Sequence, residues 1–266
     1  MYPYTTNPIQ KCGDGYSFAY DVGADLQDME MVQFHPTGLA FPPTARGVLI
    51  TEACRSRGGA LLNKNMERFM SKYDPERMEL STRDRVSRAI ITEVTEGRGT
   101  EHGGVYLDLT KIPSDEVERY LSGVLEKAMD YLGIDPRKQP LEVYPTCHHF
   151  MGGLKINERC ETNLEGLFAC GEIAAGVHGA NRLGTNAVAE TQVFGARAGQ
   201  YAAEYAQHTQ KKINSAEIDA EAERIHDIME RKDPLSPIEV KEQLQSLMWK
   251  NVGILRDEEG LAQASK

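Results

Sequence analysis

Gly13-Asp14-Gly15 opens like a phosphate-cradling glycine loop, but Phe18 stands where the third glycine of GxGxxG belongs. That third glycine is needed for close packing of helix on strand. No full copy of the pattern occurs in the 266 residues. The chain therefore cannot be read as a complete dinucleotide-binding βαβ unit. What remains is a mixed chain of short helix and strand patterns broken by glycine, long enough for one large domain or two smaller ones.

The patterns fall in this order. A helix is expected over about residues 16–23 and a strand near 29–34. GVLITEACRSRGGALLN suggests a helix, a break at Gly58-Gly59 and a strand over 60–63. Ser81-x-x-Asp84 is placed to cap a helix running through Ile90 to about Thr95. GGVYLDL reads as a short strand, and 114–132 as an amphipathic helix that Gly133 could end. Two strand-like segments flank Met151-Gly152-Gly153, residues 167–170 read as a buried strand, and a helix follows over about 186–206. Residues 207–217 are polar and read as a linker. Ser236-Pro237-x-Glu239 then starts a helix with an apolar stripe at Val240, Leu244, Leu247 and Met248. Such a stripe needs a partner surface, so both ends are expected to be cuts through a larger protein.

Bulk properties exclude some functions. A net charge of -10 argues against a general nucleic-acid surface. No apolar run approaches the roughly 18 residues of a membrane span. MYPYTTNPIQK lacks the basic start and apolar core of a signal peptide. Five scattered cysteines without CxxC suit a reducing cytosol better than a disulfide framework.

Several polar residues sit at glycine or proline breaks. Glu172 follows the expected strand at 167–170, a position where α/β sheets bind ligands; it is either a hydroxyl acceptor or a solvated loop acid. His148 and His149 are adjacent in an expected strand, so they point to opposite faces and cannot easily share a metal. No metal site is expected. Glu52 and Arg55 are one helical turn apart and can pair. Arg83 beside Asp84 reads as a helix-start charge pair, and His35 precedes Pro36 in an extended position. Arg182 lies among Gly179, Ala180, Gly184 and Ala187, where it either packs on a surface or grips an anion. Taken together, Arg83, Arg182, His35, His148 and Thr51 suit a small dianion, because arginine binds carboxylates bidentately.

The ordered motifs DMEMVQFHPTG, LITEACRSRGG, ELSTRDRVSRAI, VYLDL, YPTCHHFMGG, GLFACGE and HGANRLGTNAVAE resemble the flavoprotein subunit of fumarate reductase and succinate dehydrogenase. L-aspartate oxidase and adenylylsulfate reductase are relatives of that family. The likeness covers about residues 13–199. It implies an α/β fold: an α+β capping domain (33–144) inserted in a partial FAD-binding Rossmann-like domain (1–32 and 145–207), followed by the start of a helical domain (208–266).

By motif, the resemblance implies that His35, Thr51 and Glu52 hold one end of a dicarboxylate, fumarate or succinate, and His148 and Arg182 the other. Arg83 matches the proton donor, with Glu52 and Arg55 as its relay. Asp14, His149, Glu172, Arg182, Leu183, Gly184, Thr185, Asn186, Ala187 and Val188 would contact FAD. The segment that carries GxGxxG in the family has no counterpart here, so weak or absent FAD binding by this chain alone is expected. The family also implies an iron–sulfur subunit as partner. It implies a cytoplasmic location too, peripheral to the inner face of a membrane through partners. The alternatives are L-aspartate oxidase activity and a non-catalytic fragment.

Overall fold

The computed structural model describes residues 1–8, 10–210, 214–232 and 236–266. Its centre is a four-stranded antiparallel sheet in the order β2-β5-β4-β3. The strands are β2 (Val32–Leu39), β3 (Ala60–Leu62), β4 (Val105–Asp108) and β5 (Leu141–Phe150). A second pair, β1 (Leu26–Gln27) with β6 (Gly153–Leu154), lies beside α1 (Asp14–Asp21).

β2 begins later than the sequence suggests and runs on through His35-Pro36 to Leu39, seven of its eight residues buried. Proline is tolerated because Pro36 falls in an irregularity of the ladder, between the pairs His35↔Thr146 and Gly38↔Tyr144. The other edge of β2 takes up the segment before Thr51. The Leu39 amide donates to Val48 O (2.8 Å) and the Ile50 amide to Thr37 O (2.8 Å). Residues 47–50 therefore satisfy open strand groups instead of starting a helix, and α2 is one turn, Ala53–Ser56.

The helix α4 (Arg83–Glu93) has Thr82, not Ser81, at its N-cap. The Ser81 hydroxyl instead donates to Asp74 Oδ2 at 2.6 Å. The expected helix over 114–132 is two, α5 (Ser114–Tyr120) and α6 (Ser122–Leu132), because the backbone breaks at buried Leu121; Gly133 then closes α6 at φ 67°. Residues 167–170 are not a strand: one bridge, Glu161↔Phe168, is all that forms. The long helix α7 (Asn186–His208) holds as expected. Of the linker expected over 207–217, residues 211–213 lie outside the described residues; α8 spans Ser215–Glu230, α9 Pro237–Asn251 and α10 Glu258–Ala264.

Three apolar clusters organise the described residues. The largest contains only residues between Leu39 and Val143. A second joins Ala19, Ala24, Leu154, Ala169 and Ala174. The third packs Tyr2, Phe34 and Cys147 against Trp249 of α9, which gives part of the α9 stripe its partner surface. The Met151-Gly152-Gly153 turn explains its glycines. A Cβ on Gly152 would sit 2.0 Å from Asp28 O, and one on Gly153 2.0 Å from Ile173 O. That close approach brings the turn bearing Glu172 against β6.

Candidate active site

The segment at 51–55, the start of α4 and the loop at 181–184 converge on the irregular end of the β2–β5 pair. Opposite Gln33 and Phe34, β5 carries His149 and Cys147, so His148 is the extra residue of a bulge. Bulges re-aim side chains. Here the His148 ring faces the His35 ring at 5.3 Å between centroids, and the His149 ring faces that of His178 at 5.4 Å. The two adjacent histidines thus serve different neighbourhoods, as their opposite faces imply.

His35 is 2 % exposed, and its Nδ1 accepts from the Thr37 amide at 3.3 Å. In the neutral ring that leaves the proton on Nε2. Burial, then the charge of Arg83 and its neighbours, pushes His35 well below its ordinary range. Burial and the same arginine lower His148 to about 4. Both rings are therefore neutral donors near pH 7.

The native fold disfavours the His148 cation, whose ordinary value is 6.5. Its contribution to stability is full above pH 6.5 and is lost as pH falls from 6.5 toward 4. The urea midpoint of the wild type is expected to fall more steeply across that window than that of H148N. Equal slopes would remove His148 as the source.

Residues 47–50 deliver Thr51 and Glu52 beside β2. Thr51 is exposed. Glu52 Oε2 accepts from Arg83 Nε at 2.7 Å and lies 3.4 Å from Arg55 Nη2. Burial raises the Glu52 carboxyl, but the hydrogen bond and charge of Arg83, with Arg55 and Arg182, outweigh it and hold the group below its usual range. Arg55 is no surface partner: it is 3 % exposed and its Nη1 donates to Glu79 O at 2.6 Å. Arg83 is not a helix-start pair with Asp84. Its second hydrogen bond runs from Nη1 to Gln33 Oε1, 3.0 Å.

Arg182 is 6 % exposed. Its Nη1 donates to the Leu183 carbonyl at 3.3 Å, and its Nε has no partner among the described residues. Burial, then the charge of Arg83, lowers its affinity for its own proton. A buried guanidinium with unfilled donors is costly unless an anion meets it. The loop beyond it lies close to the Arg83–Glu52 pair. A Cβ on Gly184 would be 3.5 Å from Arg83 Nη2 and 3.9 Å from Glu52 Oε1.

A second group gathers around Glu172. Its Oε1 accepts from the Phe150 amide at 3.0 Å, its Oε2 lies 3.3 Å from His149 Nδ1, and Lys11 also donates to it. Burial opposes these contacts, yet the carboxyl falls to about 2. Nearby, His149 Nε2 and His178 Nε2 are buried without partners among the described residues. Leu183, Gly184, Thr185, Asn186 and Val188 are exposed, with Ala187 half-buried, at the N-terminus of α7. Asp14 is exposed at the start of α1 and its carboxylate accepts from Cys12 Sγ at 3.4 Å; its neighbour Gly15 abuts Ile173, the residue after Glu172.

The residues therefore fit FAD. Two orphaned imidazole nitrogens, an ionised carboxylate and a row of small residues at a helix N-terminus make a polar, electropositive cradle for a planar ring. Gln33, Asn181 and His178 escaped the sequence reading, although each lies inside a motif quoted above. An amide between two named residues carries no charge signal of its own.

Fold and site together define a flavoprotein. Residues 1–188 match the family model described as an FAD binding domain, and the chain belongs to that family. It is 54 % identical over 264 residues to an uncharacterized FAD-dependent oxidoreductase of Methanocaldococcus jannaschii. It is 52 % identical over 264 residues to a fumarate reductase (CoM/CoB) subunit of Methanothermobacter marburgensis. Each alignment takes in 99 % of this chain and 48 % of the relative, so the chain spans about half the length of these relatives. A variant of Escherichia coli quinol fumarate reductase superposes with a TM-score of 0.91 at 39 % identity, covering 99 % of this chain and 47 % of that one.

Proposed function

We propose that this chain forms the dicarboxylate site of a fumarate-reducing flavoprotein. The observation that carries the reading is Arg182: a buried guanidinium with an unpartnered Nε, facing a relay in which Arg83 and Arg55 share one carboxylate. The unfilled donor of Arg182 suits one carboxylate of a dianion, and the neutral donors His35 and Thr51, beside the Arg83–Glu52–Arg55 group, suit the other.

Arg182 and His148 would hold one carboxylate, and His35 with Thr51 and the Glu52 backbone the other, the Glu52 side chain being committed to Arg83. His149, His178, Glu172 and residues 183–188 would hold FAD, which when bound exchanges a hydride with one alkene carbon. Arg83 would hold the proton for the other carbon. An arginine is a poor acid by itself. Its contact with Glu52, and that of Glu52 with Arg55, let the guanidinium be reloaded at once. Clamping contributes chiefly by position and by preorganised charge.

The capping unit would be residues 33–144, set between 1–32 and 145–207, with a helical unit from 208. Confinement of the largest apolar cluster to residues between Leu39 and Val143 supports that division. β2 and β5 run across both boundaries and would couple the units. An iron–sulfur subunit is the proposed electron partner. A peripheral seat on a membrane through partner subunits is the proposed location; among the described residues no helix is long and apolar enough to cross a membrane.

The test is optical. Succinate and malonate are expected to perturb the flavin absorption of the FAD-loaded protein saturably, and acetate not. An equal response to acetate would reject the two-clamp site.

A further inference from the structure

Arg83 and Asp84 are consecutive on α4; Asn181 and Arg182 are consecutive before α7. Two hydrogen-bond routes join these pairs. Arg83 Nη1 donates to Gln33 Oε1 at 3.0 Å, and Gln33 Nε2 donates to Arg182 O at 2.6 Å. The same Nε2 donates to Asn181 Oδ1 at 2.9 Å, and Asn181 Nδ2 donates to Asp84 Oδ1 at 2.9 Å.

The ends of this chain dictate its direction. A guanidinium only donates and an ionised carboxylate only accepts. The Gln33 oxygen must therefore face Arg83, and the Asn181 amide nitrogen must face Asp84. Neither amide can flip without losing a bond at a charged end. Gln33 is 3 % exposed, so a broken bond there goes unreplaced by water. Arg88 Nη2 donates to the other oxygen of Asp84 at 2.6 Å and steadies it.

We propose that Gln33, Asn181 and Asp84 form a latch that keeps the proton-holding Arg83 in register with the clamping Arg182. The proposal rests on the dicarboxylate reading above. The three are positioning residues, not catalytic ones. The two arginines sit on different elements, α4 and the loop before α7. Register between them decides whether the proton meets the alkene carbon of a substrate fixed by Arg182. Asp84 and Asn181 also line a small cavity with Ser87, Arg88 and Arg256, and the Asp84 side chain is 41 % exposed. Truncating either leaves the apolar cores intact.

The test uses the FAD-loaded protein with reduced viologen and fumarate, comparing wild type, R83A, D84A, N181A and the exchange D84N/N181D. In the exchange, Asn at 84 donates to Asp at 181, which still accepts from Gln33. D84A and N181A are expected to lower kcat about 10- to 100-fold, as misplacement near 1 Å does. KM should hold within about twofold, since the clamps remain. The solvent deuterium isotope effect on kcat should rise as proton transfer becomes limiting, and the exchange should recover most of the loss. Wild-type kcat in both single variants overturns the latch, as does an exchange variant no faster than D84A. No fumarate reduction by wild type overturns the latch and the functional reading together. An active wild type and a dead R83A, with D84A and N181A normal, overturn the latch alone.

Discussion

Replacing Arg83 with alanine is expected to lower fumarate turnover by about 10²- to 10⁴-fold, the range for loss of a positioned proton donor. Succinate binding and flavin content should change little. Arg83 occupies the junction of the site. Its Nε meets Glu52 at 2.7 Å, its Nη1 meets Gln33 at 3.0 Å, and its side chain is 13 % exposed. Those two contacts use two arms of one planar fork. Lysine keeps the charge but cannot span both partners, so R83K should recover little of the loss. Glu52→Gln separates holding the proton from reloading it. It keeps an acceptor for Arg83 but removes the carboxylate that Arg83 and Arg55 share. Turnover should fall in E52Q with little change in KM. Substantial turnover by R83A, with flavin and binding intact, would exclude Arg83 as donor.

The second large effect belongs to Arg182. Arg182→Leu is expected to weaken dicarboxylate binding about 10- to 100-fold, the consequence of losing charge-assisted hydrogen bonds of roughly 1.5–3 kcal/mol. Stability should move the other way or not at all. The guanidinium is buried with an unpartnered Nε, so the ligand-free fold bears its desolvation cost. Leucine of similar breadth removes that cost. A structural arginine would behave oppositely, destabilising the fold when replaced and leaving binding alone. Titration of malonate against flavin absorbance, paired with urea unfolding of the ligand-free protein, distinguishes the two. An unchanged dissociation constant with a lowered midpoint would exclude the clamp.

Parts of this site could be read without coordinates. α7 starts at Asn186 and Gly133 ends α6, because helix periodicity and a left-handed glycine are local signals. The pairing of Glu52 with Arg55 also follows from helical spacing. Residues 47–50 misled because their apolar content is compatible with a helix, while the open edge of β2 that captures them is set elsewhere in the chain. Ser81 lost its capping role to Asp74, a competitor that only folding supplies. The bulge at His148 is a matter of register between distant strands, so its division of His148 from His149 shows only as an adjacent pair. Gln33 and Asn181 were hidden for a further reason. Their significance lies in which charged groups they join, and those groups come together only in three dimensions.

On the proposed function, Arg182 receives fumarate and Arg83 protonates it. The direct measurement follows oxidation of reduced viologen by the FAD-loaded protein on addition of fumarate, with succinate quantified at the end. One succinate for each two electrons consumed is expected, with the signal lost in R83A. No fumarate-dependent oxidation, or aspartate-dependent peroxide formation in its place, would contradict it.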